Sequence, residues 1–209
     1  MIELRNVSKR FGKAEIIKQI NADFETGKIT GIVGNNGSGK TVLFKMICGL
    51  MLPTQGEITV NGERIGKDVD FPSSIGIIIE TPGFINWQSG YQNLEELAVL
   101  KNKIGKTKIR ETLLQVGLDP DDKKHVGKYS LGMRQRLGIA QAIMENPDVL
   151  ILDEPMNGLD KHGVEEIRQL LLQLKEDKTI LLASHNPADI ELLCDDIYEM
   201  DDGILMQRG

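Results

Sequence analysis

The run Lys28 to Val33, KITGIV, most constrains what this chain can fold into, because it passes directly into GNNGSGKT at Gly34 to Thr41 and then into VLFKMICGL. A short apolar strand needs a covering layer on each face. The apolar residues that recur at three- and four-residue spacing after Thr41 supply a helix for one of those layers. Strand, glycine-rich turn and helix in succession predict an α/β fold with a largely parallel sheet and helices on its faces. The turn also matches the pattern GxxxxGK[ST] in the context that pattern requires. In Gly34, Asn35, Asn36, Gly37, Ser38 and Gly39 the small residues let backbone N–H groups wrap around a phosphate, and the helix N-terminus adds positive potential. Lys40 is placed to neutralise β- and γ-phosphate oxygens, and Thr41 offers a hydroxyl to Mg²⁺. Average residue frequencies make a chance match roughly a 1% event for a chain of this length.

The rest of the chain extends the same pattern. Ile2 to Val7 and Ile16 to Phe24 read as strands with polar alternation, and EITVNGERI reads as a hairpin with Asn61-Gly62 as its two-residue turn. Ile75 to Ile79 is a further buried strand. From about Thr81 to Pro147 the chain becomes amphipathic and helical, then returns to apolar strands at Val149 to Leu152 and Thr179 to Ala183, separated by the helix VEEIRQLLLQLKE. The tail IYEMDDGILMQ reads as two strands about a DDG turn. The prediction is one domain over 1–209: a mostly parallel core sheet, an N-terminal antiparallel β region and an inserted helical subdomain over roughly 81–147.

Bulk properties exclude several classes. At 209 residues the chain can bury one substantial core, and its net charge of -6 argues against broad nucleic-acid binding, which needs a basic face. Cys48 and Cys194 lie far apart with no metal-ligand spacing and read as reduced, buried thiols. The opening MIELRNVSKRF carries charges where a leader would be apolar, and runs such as VLIL are too short to span a bilayer. A soluble, cytoplasmic protein is expected, and a membrane role would require a partner.

Downstream, DVLILDEP places Asp153 at the C-terminal end of a strand, where open α/β sheets bind ligands and where a carboxylate can hold Mg²⁺. Glu154 follows immediately, suited to orient and deprotonate a water. The segment YSLGM, Tyr129 to Met133, opens a helix carrying Arg134, Gln135 and Arg136.

Taken together these segments resemble an ABC-type ATPase subunit over essentially the whole chain. In that resemblance YSLGM stands where the family usually has LSGGQ, NGLD at 157–160 is the D-loop, and His185 after TILLAS is the switch histidine. It implies ATP and Mg²⁺ as ligands, with Thr41, Asp153 and Glu80 toward the metal, Glu154 as base, and His185 and Glu80 completing the catalytic set. Ser130, Gly132, Met133 and Asp160 would then face nucleotide held by a second subunit. Phe11 in KRFGK is either the aromatic that stacks on adenine or a side chain packed on the sheet.

The chain departs from the family's usual pattern at three places. Glu80 in IIIETPGF occupies the usual Q-loop glutamine position, Leu131 replaces the first signature glycine, and Val42 stands where a second hydroxyl often contacts nucleotide, a hydrogen bond of roughly 1 kcal/mol. The Glu and SLGM combination resembles the bacitracin and lantibiotic exporter and immunity branch. The implied role is the ATP-hydrolysing subunit of an exporter, a head-to-tail dimer with itself or a paralogue, bound to a polytopic membrane subunit at the inner face of the cell membrane. The alternative is a soluble ABC-type regulatory or scaffold ATPase that uses dimerisation as a switch.

Around these motifs, FINWQSGYQNLEEL, with Phe84, Trp87 and Tyr91, reads equally as a docking surface or as core packing for the helical block. Asn186 and Pro187 read as a helix cap and first helical residue. His125 and His162 read as surface residues, and the acidic runs DPDD and CDD as solvated faces.

Overall fold

A computed structural model describes residues 1–80 and 83–208, so the expected start of the helical block at Thr81 lies outside the described residues. Along the chain run β1 (Ile2–Phe11), β2 (Ala14–Phe24), β3 (Lys28–Val33), α1 (Lys40–Ile47), β4 (Gln55–Val60), β5 (Glu63–Arg64) and β6 (Ile75–Ile78). Three helices follow, α2 (Gly90–Lys101), α3 (Lys106–Gln115) and α4 (Leu131–Ile143), before β7 (Val149–Asp153), α5 (Lys161–Leu174), β8 (Thr179–Ala183), α6 (Pro187–Leu193), β9 (Asp196–Asp201) and β10 (Ile204–Gln207).

Two sheets result. One is antiparallel, in the order β2-β1-β4-β5; the other runs β10-β9-β3-β8-β7-β6, with every pairing parallel except β10 on β9. The helical segments α2, α3 and α4 fall between β6 and β7, with α4 against β6. The central strands β7 and β8 are apolar except at an end, Asp153 and Thr179, because both of their faces are covered. Leu150, Leu152, Ile180 and Leu182 pack with Leu137, Ile139 and Leu171 on the helical side. Their neighbours Val149, Ile151, Leu181 and Ala183 point the other way, onto Phe44, Ile2 and Phe24.

Strand β1 runs on to Phe11 instead of ending at Val7. Its polar stretch breaks the expected alternation, but pairing continues across bulges between Leu4 and Arg10, with Gln19 N donating to Ser8 Oγ at 2.9 Å and Arg10 N to Thr54 Oγ1 at 3.0 Å. The turn after Phe11 falls on Gly12 and Lys13, so Phe11 is a strand residue. Two other expectations change. Asp195 of the CDD run accepts from Ile29 N at 2.8 Å and Lys175 Nζ at 2.7 Å, which ties the start of β3 to the segment before β9. Cys194 is half-buried where Cys48 is buried, and burial pushes both thiols up to about 12.

Candidate active site

Three parallel strands deliver their C-terminal ends to one place, the position where open α/β sheets bind ligands. β3 leads into the loop 34–39, β7 ends on Asp153, and β8 is followed by Ser184 and His185. These ends border a cleft of about 720 Å³, lined in part by Gly37, Lys40, Thr41, Asp153, Glu154 and His185. Parallel register is what brings these residues together: Asp153 pairs with Ala183 across β7 and β8, and β8 in turn pairs with β3.

Helix α1 begins at Gly39, whose φ of 111° lies where L side chains are strained, and its first turn has no side-chain cap. A β-carbon on Gly39 would stand 2.9 Å from Ile17 Cδ1, so the loop lies tightly on β2. Within the loop, Ser38 N donates to Asn35 O at 3.2 Å, Ser38 is buried, and Asn35, Asn36 and Gly37 are exposed. Lys40 Nζ donates to Gly34 O at 2.6 Å and Asn35 O at 3.1 Å. Burial pulls the Lys40 ammonium below its usual range, opposed by the charges of Asp153 and Glu154.

Thr41 Oγ1 donates to Asp153 Oδ2 at 3.3 Å, so a hydroxyl and a carboxylate from different elements sit side by side. Burial raises the Asp153 carboxyl, against the Thr41 hydrogen bond and the Lys40 charge. Among the described residues no cluster of three or more Asp, Glu, His or Cys could hold a metal by itself. The oxygen pair instead fits Mg²⁺, which takes one or two protein ligands and fills its shell with phosphate and water.

Glu154 has a left-handed backbone, φ 53°, and its Oε1 is buried without a hydrogen-bond partner, 3.5 Å from His185 Nε2. Burial raises this carboxyl too, with His185 as the main opposing influence. His185 itself is exposed, followed by the Asn186 cap and Pro187 at the start of α6. Glu80 lines the cleft at its rim, where Lys45 Nζ holds it at 2.7 Å. Val42 lines the cleft as well.

Other predicted residues lie elsewhere. Phe11 is half-exposed with Lys9 Nζ 5.3 Å from its ring centroid, and it does not line this cleft; Ile16 of β2 supplies an apolar wall there instead. Ser130 caps α4 by accepting from Met133 N at 3.2 Å, and Asp160 caps α5 by accepting from Gly163 N at 2.9 Å. Ser130, Gly132, Met133 and Asp160 stand outside the cleft, although Leu131 reaches its edge. Leu131 overhangs Gly158, where φ is 77° and a β-carbon would fall 2.4 Å from Leu131 Cγ, so Gly158 makes room for the leucine. Sequence reasoning missed Ile16, Arg134, Gln135 and Asn157 as lining residues. Of these, Asn157 sits inside NGLD and Arg134 and Gln135 directly follow YSLGM, so Ile16 alone carried no local signal.

A second, largely apolar groove of about 480 Å³ is lined by residues of β6, α2 and α4 and of the segments around Leu50 and Phe71, among them Leu50, Phe71, Ile77, Leu97 and Leu100. Leu50, Phe71 and Leu100 are exposed. Of the aromatic segment after β6, Trp87 is 74% exposed, whereas Phe84 and Tyr91 pack against the core. Among the described residues no helix is long and apolar enough to cross a membrane.

Comparison with known proteins agrees with this geometry. A family model described as ABC transporter matches residues 17–157. The chain is 43% identical over 206 residues to the uncharacterized ABC transporter ATP-binding protein YybJ of Bacillus subtilis (strain 168), covering 98% of this chain and 94% of that one. It is 42% identical over 211 residues to the bacitracin transport ATP-binding protein BcrA of Enterococcus faecalis, covering 100% of this chain and 68% of that one. The dimeric structure of MJ0796, a bacterial ABC transporter cassette, superposes with a TM-score of 0.87 at 26% identity over the full length of both chains. With a family model over residues 17–157 and relatives of this kind along the whole chain, the chain belongs to the ABC transporter family as an ATP-binding, ATP-hydrolysing subunit.

Proposed function

We propose that this chain powers a bacterial exporter as one half of a head-to-tail dimer that closes on ATP. The observation that carries the hydrolytic role is Glu154. It is a half-buried carboxylate next to Asp153 that lines the same cleft as Lys40 and Thr41, and one of its oxygens is buried without a hydrogen-bond partner. The loop 34–39 and the start of α1 bind the phosphates, with Lys40 moving from its own carbonyls to β/γ oxygens. Thr41 and Asp153 would hold Mg²⁺, which supplies charge neutralisation at the phosphates when bound. Glu154 takes the proton of a water aimed at the γ-phosphate, and the raised carboxyl makes it a stronger base than an exposed glutamate. His185 holds a γ-phosphate oxygen, and Glu80, fixed at the rim by Lys45, orients water. Ser130 and Gly132 at the start of α4 meet the ATP of the partner subunit, which is consistent with their place outside the cleft of their own chain.

The apolar groove at Leu50, Phe71 and Leu100 is the proposed seat of the membrane subunit, since exposed contiguous apolar surface marks an interaction site. Such a partner places the chain peripherally on the cytoplasmic face. The likeness to the bacitracin transport protein BcrA favours a role in transport over the regulatory alternative.

The test is Glu154→Gln. Turnover should fall by about 10³-fold with ATP still bound, and an ATP-dependent dimer should accumulate in size-exclusion chromatography. Unchanged ATPase activity would remove Glu154 from the role of base.

A further inference from the structure

Glu154 adopts a backbone conformation that a side-chain-bearing residue holds only where its surroundings over-determine it. Three hydrogen bonds do so. Glu154 N donates to Ala183 O of β8 at 2.9 Å, and Asn157 N donates to Glu154 O at 3.2 Å within the turn itself. The third comes from α4, where Gln135 Nε2 donates to the same carbonyl at 3.2 Å. Of the carboxylate, Oε1 has no hydrogen-bond partner and His185 is the neighbour against it, so the three backbone hydrogen bonds are the main hold of the rest of the molecule on where this side chain starts.

The rotation of α4 about its axis is also fixed. Arg136, the next residue, donates to Val116 O after α3 and to Glu166 Oε2 of α5, each at 2.6 Å. Gln135 lies little more than one helical turn from Ser130, so whatever seats the start of α4 sets the position of the Gln135 amide.

We propose that Gln135 is a positioning residue through which α4, when seated on the partner's ATP, holds this subunit's own Glu154 in its working orientation. The inference rests on the dimer reading above and adds a direction to it: the start of α4 serves the partner's nucleotide, and its second turn serves the base of its own. A single helix thereby links the two sites, with rigid packing as the carrier.

The experiment compares Gln135→Met, which keeps length and loses the donor, with Gln135→Lys, which keeps an N–H donor, both in the full chain. ATPase kinetics give kcat and KM, and ATP-driven dimerisation is measured in the Glu154→Gln background. Gln135→Met should lower kcat about tenfold with KM within about twofold and dimerisation unchanged, while Gln135→Lys recovers at least about half of the wild-type kcat. A kcat within about twofold of wild type for Gln135→Met, an equal loss in both variants, or a loss that follows dimerisation would overturn the proposal. Failure of Glu154→Gln alone to dimerise with ATP would overturn the dimer reading as well, a result distinct from a normal dimer with unaffected kcat.

Discussion

Helices α1 and α4 both begin where a phosphate is expected, yet their first turns are built in opposite ways. α1 starts from a left-handed glycine with no side chain to occupy its N–H groups, pressed onto β2 inside a cleft. α4 starts from Ser130, whose hydroxyl already accepts from Met133 N, and Ser130 stands exposed to solvent. The first is a site in its own right: loop, ammonium, hydroxyl and carboxylate converge from one chain. The second is a well-capped helix end that becomes part of a site only when another molecule brings a phosphate to it. Substitutions in α1 should therefore alter what a single chain binds, and substitutions at the start of α4 should alter only what two chains do together.

Lys40→Ala is the largest expected break in that comparison. Charge-assisted hydrogen bonds contribute about 1.5–3 kcal/mol each, so ATP affinity of the isolated chain should fall about 100-fold by calorimetry. Wild-type affinity in this variant would count against the phosphate-loop assignment. Ser130→Arg probes the other helix. With the side chain exposed, a bulky cation costs the helix only its cap and leaves single-chain ATP affinity intact, but fills the space where the partner's phosphate is proposed to sit. ATPase activity should drop by at least about tenfold. Intact activity would mean that the start of α4 contacts no nucleotide.

The difference between the two helices also explains how far the sequence could be read. The α1 site was legible because its parts are local: GNNGSGKT is one continuous segment, and the buried strands before it and at Val149 to Leu152 announce themselves by composition. Asp153 and Glu154 follow from strand placement. What escaped is tertiary. Nothing near Ile16 says that one residue of a strand faces a cleft, and nothing near Glu80 says that Lys45, 35 residues away, is its partner. The exposure of Phe11 depends on how far β1 continues through bulges that no alternation pattern predicts. The departure at Leu131 is explained by a glycine in another segment, Gly158. Two of the links of α4 to the rest of the molecule, Gln135 to Glu154 and Arg136 to Glu166, span distances in sequence that only packing resolves.

Ser130→Ala gives the smallest effect and separates the two roles of that serine. Removing the hydroxyl leaves Met133 N without its cap, and N-cap losses cost about 1 kcal/mol. For a chain of this size that corresponds to a fall in melting temperature of about 2–4 °C. The small side chain leaves the partner's phosphate room to approach the start of α4, and the freed N–H becomes available to it. Turnover in Ser130→Ala should therefore fall less than in Ser130→Arg, while both variants, having lost the same cap, fall by about the same amount in stability. Scanning calorimetry and ATPase assays on the two variants read these quantities separately. If Ser130→Ala lost as much activity as Ser130→Arg, the hydroxyl itself would be the group that meets nucleotide, and the helix N-terminus would be secondary.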